Sequence, residues 1–227
     1  MAKGNKGADL QQIAFILQKE KLCSDISPLT KIASEANKGE YNLQKLKIKI
    51  AEIPNNTKPN ITALEVLLNV QIKEKQPNRN NIGNPVSTYN FHIEILGKEG
   101  DKTVHSSWHL DFDNTDASDY IHPIFHLTYG GKVMKNKELG DVLLLPAPRI
   151  AYPPMDAVLG VDFVLSNFVK KDMYNKIKAY SQYKAAVKHS QERLWRPYIL
   201  SIANHWFDCN GLNTSGSGKE FYPTLID

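Results

Sequence analysis

Three stretches of this chain alternate apolar and polar residues with period two, and that alternation limits the fold more than any other feature. STYNFHIEIL, TVHSSWHLDFD and YIHPIFHLTYGG cover residues 87–96, 103–113 and 120–131. Successive side chains of a strand point to opposite faces, so parity assigns each residue to one of them. In the first stretch Tyr89, Phe91, Ile93 and Ile95 oppose Thr88, Asn90, His92 and Glu94. In the second, Val104, Trp108, Leu110 and Phe112 oppose His105, Ser107, His109, Asp111 and Asp113. In the third, Ile121, Pro123, Phe125, Leu127 and Tyr129 oppose His122, His126 and Thr128, with Ile124 the one exception. One face is aliphatic and aromatic and belongs against helices. The other gathers five of the seven histidines with Glu94, Asp111 and Asp113.

The rest of the chain supplies the partners such a sheet needs. ADLQQIAFILQKEKL spaces its apolar residues as an amphipathic helix, and a weaker helical stretch follows toward Gly39, giving a helical segment over 8–38. KLKIKIAEI alternates Lys45, Lys47 and Lys49 with Leu46, Ile48 and Ile50, as a lysine-protected edge strand does. ALEVLLNVQIKEK places Leu64, Val66, Leu68, Val70 and Ile72 on one face. The connections between strands are short enough for neighbours to pair antiparallel, and GDVLLLPAP adds a short buried strand, so the sheet is expected over 45–145. After the proline turn IAYPPMD, Asp156 is positioned to cap a helix over 157–169. A long helix is expected from Asp172 into the 190s, then one carrying RPYILSIANHWF with Pro197 near its start, so helices occupy 156–207. The tail, 209–227, has flexible composition. The expected fold is α+β: a largely antiparallel meander, an N-terminal helix and a helical C-terminal third, in one domain over 1–227.

Composition narrows the function classes. A formal charge of +4 permits an acidic partner without demanding one. Cys23 and Cys209 are far apart with no CxxC, which excludes a disulfide framework and a zinc knuckle. MAKGNKGADLQQ leads into no apolar signal core, and AVLGVDFVLSNFV is too short for a bilayer and holds Asp162. The expectation is a soluble cytoplasmic protein with no membrane partner.

Hairpin lengths bound which polar side chains can meet. A turn over 97–102 puts Glu94 opposite His105 and His92 opposite Ser107, or one step further along. A loop over 114–120 puts His109 opposite His126 and Asp113 opposite His122. Opposed side chains have Cβ atoms about 4.5–5.5 Å apart. A solvated sheet face accepts such residues without any function, but five histidines in one place suggest more. The first expectation is a binding or interaction protein whose polar face holds a ligand, metal or partner, with His92, Glu94, His105, Asp111, Asp113, His122 and Thr128 as contact residues. The alternative is a metal-dependent hydrolase of phosphoesters. There His109 and His126 hold zinc or manganese, His92 or Asp111 completes the ligand set, and bound water is the nucleophile.

Two resemblances bear on these expectations. HSS (105–107) and HLT (126–128) both read His-x-Ser/Thr, and the pair resembles the twin motif of the two-histidine phosphodiesterases. That resemblance implies His105 and His126 acting as acid and base on a phosphate. Helix, meander, YPPMD and C-terminal helices are similar in order to ubiquitin-conjugating-type domains, with His122-Pro123 standing where those have a His-Pro element. No cysteine follows at a nucleophile's position, so this resemblance implies a non-catalytic relative. Nucleic acid is a weaker candidate partner: KKDMYNKIKAYSQYKAAVK mixes lysines with Tyr174, Tyr180 and Tyr183, but its apolar spacing is that of a core stripe with a basic flank.

Overall fold

The computed structural model describes residues 5–55, 57–75, 81–113, 122–131, 134, 136, 149–207, 213–214 and 218–225. It is an α+β fold. Helices α1 (Lys6–Lys19) and α2 (Ser27–Ala36) precede strands β1 (Glu40–Ile50), β2 (Ala63–Glu74), β3 (Asn81–Ile82), β4 (Val86–Glu99), β5 (Lys102–Phe112), β6 (Phe125–Tyr129) and β7 (Ile150–Ala151). Then come α3 (Ala157–Phe168), α4 (Lys171–Lys178), α5 (Ser181–Ser190), a π-helical turn (Gln191–Trp195), α6 (Arg196–Ala203), β8 (Asn213–Thr214) and α7 (Gly218–Phe221). Six strands form one antiparallel sheet in the order β1-β2-β4-β5-β6-β7, while β3 and β8 make a separate parallel pair. The short strand expected in GDVLLLPAP lies outside the described residues.

The meander follows the alternation. Leu64, Val66, Leu68, Val70, Ile72, Tyr89, Phe91, Ile93, Leu110, Phe125 and Leu127 are buried on a single face. β1 begins earlier than its lysine pattern suggests. A bulge between Leu43 and Leu46 inserts one residue against β2, with Lys45 at φ +53. The extra residue flips the parity, so Tyr41 and Leu43 share the core face with Leu46, Ile48 and Ile50. Helix α3 crosses this face so closely that a Cβ on Gly160 would sit 2.9 Å from the Phe91 ring and 3.2 Å from Leu68.

The proline segment is bolted to the sheet. The Tyr89 hydroxyl donates to the Met155 carbonyl (3.0 Å) and accepts from the Met155 amide (2.8 Å). The Tyr41 hydroxyl accepts from Ala157 N at 2.8 Å. Asp156 caps α3 as expected, its Oδ1 accepting from Leu159 N at 2.9 Å. Its Oδ2 accepts from Ser190 Oγ (2.8 Å) and Arg193 Nη2 (2.6 Å), which ties α3 to the far end of α5.

Several expectations are corrected. The long helix from Asp172 breaks at Tyr180, whose backbone is extended (ψ 126) and whose hydroxyl donates to Glu20 at 2.6 Å. The chain turns helical again across a π segment, and Pro197, lacking an N–H, falls in the first turn of α6 just beyond it. Asp162 accepts from Tyr174 (3.0 Å) and Tyr183 (2.8 Å) and so joins α3 to α4 and α5. Burial pushes the Tyr174 hydroxyl up to about 12. The hydroxyls of Tyr174, Tyr180 and Tyr183 are bonded to Asp162 and Glu20 and so tie helices together. Trp108 is half-buried, edge-on to Tyr129 (5.2 Å), because the helices cover β2 and β4 more deeply than this corner of β5 and β6. In the tail, α7 docks Phe221 into the core, stacked on Phe125 (6.3 Å) and edge-on to Tyr198 (5.2 Å).

Candidate functional site

Strand register decides which polar side chains meet. The β4–β5 hairpin takes the further of the two expected offsets: His92 opposes His109, Glu94 opposes Ser107, and Leu96 opposes His105. Diagonal pairs form across this ladder. His92 Nε2 lies 2.8 Å from Ser107 Oγ, and His105 Nδ1 lies 2.9 Å from Glu94 Oε1. Ser107 is wholly buried, although it is on the polar face.

The β5–β6 register departs from expectation by two residues. His109 opposes Thr128 and Asp111 opposes His126. His109 and His126 therefore do not face each other; the Asp111 carboxylate lies between them, 2.9 Å from His109 Nε2 and 3.7 Å from His126 Nε2. Asp113, expected opposite His122, reaches it all the same, its Oδ2 3.1 Å from Nε2. The backbone meanwhile pairs Asp113 N with the Ile124 carbonyl at 3.0 Å.

His126 is buried and its ring is fixed by the backbone. Its Nδ1 is 3.0 Å from the Pro123 carbonyl, which can only accept, so Nδ1 carries the proton and Nε2 offers a lone pair. Burial holds its pKa below the ordinary histidine value. The Pro123 carbonyl and Asp111 pull the other way, while His122 and Arg149 add to the depression. His92 is likewise held down by burial, against the pull of Glu94. Both rings are neutral at pH 7.

Beside this corner opens a cleft of about 560 Å³ lined by His109, Asp111, Phe112, Asp113, His126, Thr128, Tyr129, Gly130, Gly131 and Arg149. Gly131 (φ +86) sits under the His109 ring, and a Cβ there would come within 3.0 Å of its Cε1 and Nδ1. Five of the nine candidate residues, His109, Asp111, Asp113, His126 and Thr128, thus share one cleft. His92, Glu94 and His105 form hydrogen-bonded pairs farther across β4 and β5, and His122 joins the cleft through Asp113 and through its ring, 5.2 Å from that of His126.

The candidate metal set is divided accordingly. His92 is engaged by Ser107, and among the described residues no group of three or more His, Cys, Asp or Glu side chains is arranged to hold a metal ion. The phosphodiesterase resemblance also meets a geometric obstacle. His126 pairs with Asp111, six residues along β5 from His105, about 20 Å at ~3.3 Å per residue, too far for the two histidines to act on one phosphate. Sequence reasoning missed Arg149, just ahead of a two-residue strand, and it missed the Pro123 carbonyl, which fixes the His126 tautomer. Comparison with protein families, with curated proteins and with solved structures gives no match. Among the described residues no helix is long and apolar enough to cross a membrane.

Proposed function

We propose that this is a soluble binding protein whose histidine- and aspartate-rich sheet face holds a small polar ligand in the cleft bordered by β5, β6 and Arg149. The observation that carries this reading is the convergence of hydrogen-bonding groups of different kinds on one concave surface. The Asp111 carboxylate, the neutral His126 ring, the Thr128 hydroxyl and Arg149 line it together. A concave surface with a few placed polar groups is what a small-molecule site needs to fix orientation. The competing reading, a zinc- or manganese-dependent phosphoester hydrolase, draws on the same corner, since His109 Nε2, Asp111 Oδ2 and His126 Nε2 are neighbours there.

Thermal melting at pH 7 tests both. The panel holds amines, amino acids, sugars, organic acids, phosphoesters and nucleotides, with zinc and manganese as separate arms. A ligand at a hundred times its Kd adds about 2.7 kcal/mol to stability, a rise of roughly 5–10 °C in a chain of this size. Stabilisation by a small molecule that is lost when Thr128→Trp fills the cleft supports the binding reading. No stabilisation by any organic compound overturns it. A rise with zinc or manganese that disappears in both His109→Ala and His126→Ala makes the hydrolase the better account.

A further inference from the structure

The His126–Asp111 pair is chemically incomplete. The His126 side chain is 5% exposed, its Nδ1 is committed to the Pro123 carbonyl, and its ring is neutral, so Nε2 is a bare acceptor. Asp111 Oδ2, 3.7 Å away, is another acceptor, and it lies 2.9 Å from His109 Nε2. Two acceptors cannot satisfy each other. Among the described residues no hydrogen-bond donor reaches His126 Nε2, and His126 lines the cleft, so a donor from a ligand can take this acceptor.

The surroundings specify the donor. It must bridge two acceptors, so it needs at least two protons, which a hydroxyl lacks and an ammonium group has to spare. It approaches Asp111, with Asp113 also lining the cleft, and the charge-assisted bond to a carboxylate favours a cation. Arg149 and His122 also face His126 and oppose positive charge, so a cation is held there only through direct hydrogen bonds to Asp111 and His126. We infer that the cleft recognises its ligand by a protonated primary amine, the nitrogen seated between Asp111 Oδ2 and His126 Nε2. This inference rests on the ligand-binding reading above.

Three probes of one shape test it: benzylamine, benzyl alcohol and benzoate, each titrated at pH 7 by calorimetry and by ¹⁵N spectra of the histidine rings. Benzylamine is expected to bind at least about tenfold more tightly than the alcohol, a difference of about 1.4 kcal/mol, and to move the His126 Nε2 resonance while leaving Nδ1 in place. Asp111→Asn removes that preference; the side chain is 43% exposed, so the variant should fold even if His126→Gln does not. Equal or tighter binding of benzyl alcohol or benzoate, lost in Thr128→Trp, would overturn the amine inference and leave the cleft as a ligand site. Benzylamine binding that Asp111→Asn does not weaken would overturn it as well. Failure of benzylamine to bind while other compounds of the wider panel do bind sinks the inference alone; failure of every compound sinks the binding reading with it.

Discussion

Removing the charge of Asp156 should be far more damaging than removing a helix cap. The sequence places Asp156 ahead of α3, and an N-cap changed to alanine costs ~0.5–2 kcal/mol, with asparagine a near-neutral substitute. The structure adds a second duty. Asp156 is 2% exposed, and its Oδ2 receives Arg193 Nη2 at 2.6 Å and Ser190 Oγ at 2.8 Å. Breaking a buried pair by removing one partner costs about 3–5 kcal/mol, because the other charge stays behind. Arg193 is poorly placed to recover: its Nε is buried without a hydrogen bond among the described residues, and Glu74 Oε1 lies 3.6 Å from it. Asp156→Ala should therefore lose about 3–5 kcal/mol, or roughly 6–20 °C at ~2–4 °C per kcal/mol. Asp156→Asn keeps the cap oxygen but turns an amide toward the guanidinium, so about 2–4 kcal/mol should go. Urea unfolding with a shared m-value measures both. In Asp156→Asn/Arg193→Met both charges are gone, and the double variant should be no less stable than Asp156→Asn alone. An Asp156→Asn protein within ~0.5 kcal/mol of wild type would refute the buried pair and leave only the cap.

Further substitutions probe the layers beneath the site. Phe91→Ala, in the fully buried core, should cost ~3–5 kcal/mol, and Trp108→Ala, half-buried, clearly less; equal losses in chemical denaturation would mean the core face is misassigned. Gly160→Ala should destabilise by about 1–3 kcal/mol through overpacking against Phe91 and Leu68, in spite of the better helix propensity of alanine; a stabilised variant would place α3 farther from the sheet. His92 and His126 have pKa values depressed by burial in the folded protein, so the unfolded chain takes up their protons first. Their contribution is whole above ~6.5 and is lost as pH falls through their lowered values. Glu20, held low by its hydrogen bond to Lys176, acts only at more acid pH, below about 4.5. A melt series from pH 7 to 5 should therefore show a decline that is shallower in His92→Gln and His126→Gln, and an unchanged slope in both would mean the rings are not buried neutral.

How much of this was legible follows from what the pattern encodes. Alternation revealed β2, β5 and most of β4, because parity holds along β2 and β5 and from Thr88 onward in β4, the irregularity falling where Val86 meets Glu74. It hid the first half of β1, since the bulge before Leu46 reverses parity and makes 40–44 read as something else. The break at Tyr180 was hidden for a tertiary reason: its cause is Glu20, distant in sequence, which takes the tyrosine hydroxyl. Phe221 looked like part of a loose tail because nothing local shows that Phe125 and Tyr198 leave room for a third ring.

The site fails to be legible in a more instructive way. A one-residue slip between strands exchanges the faces of every side chain, so the hydrophobic pattern forbids it, whereas a two-residue slip keeps every face and leaves the pattern unchanged. Periodicity thus fixes register only modulo two, and the turns must settle the rest. The β4–β5 turn is tight, closing at Gly100 (φ +56), and its two allowed offsets could be foreseen. Residues 114–121 lie outside the described residues, and the pairing beyond them is displaced by two from the expected one. That displacement changes the chemistry. In the expected register His109 faces His126, two imidazoles fit to share a metal. In the observed one His126 faces Asp111, two acceptors fit to share a donor. Composition and parity are identical in the two cases, so the kind of ligand that belongs here is set by one even step of register.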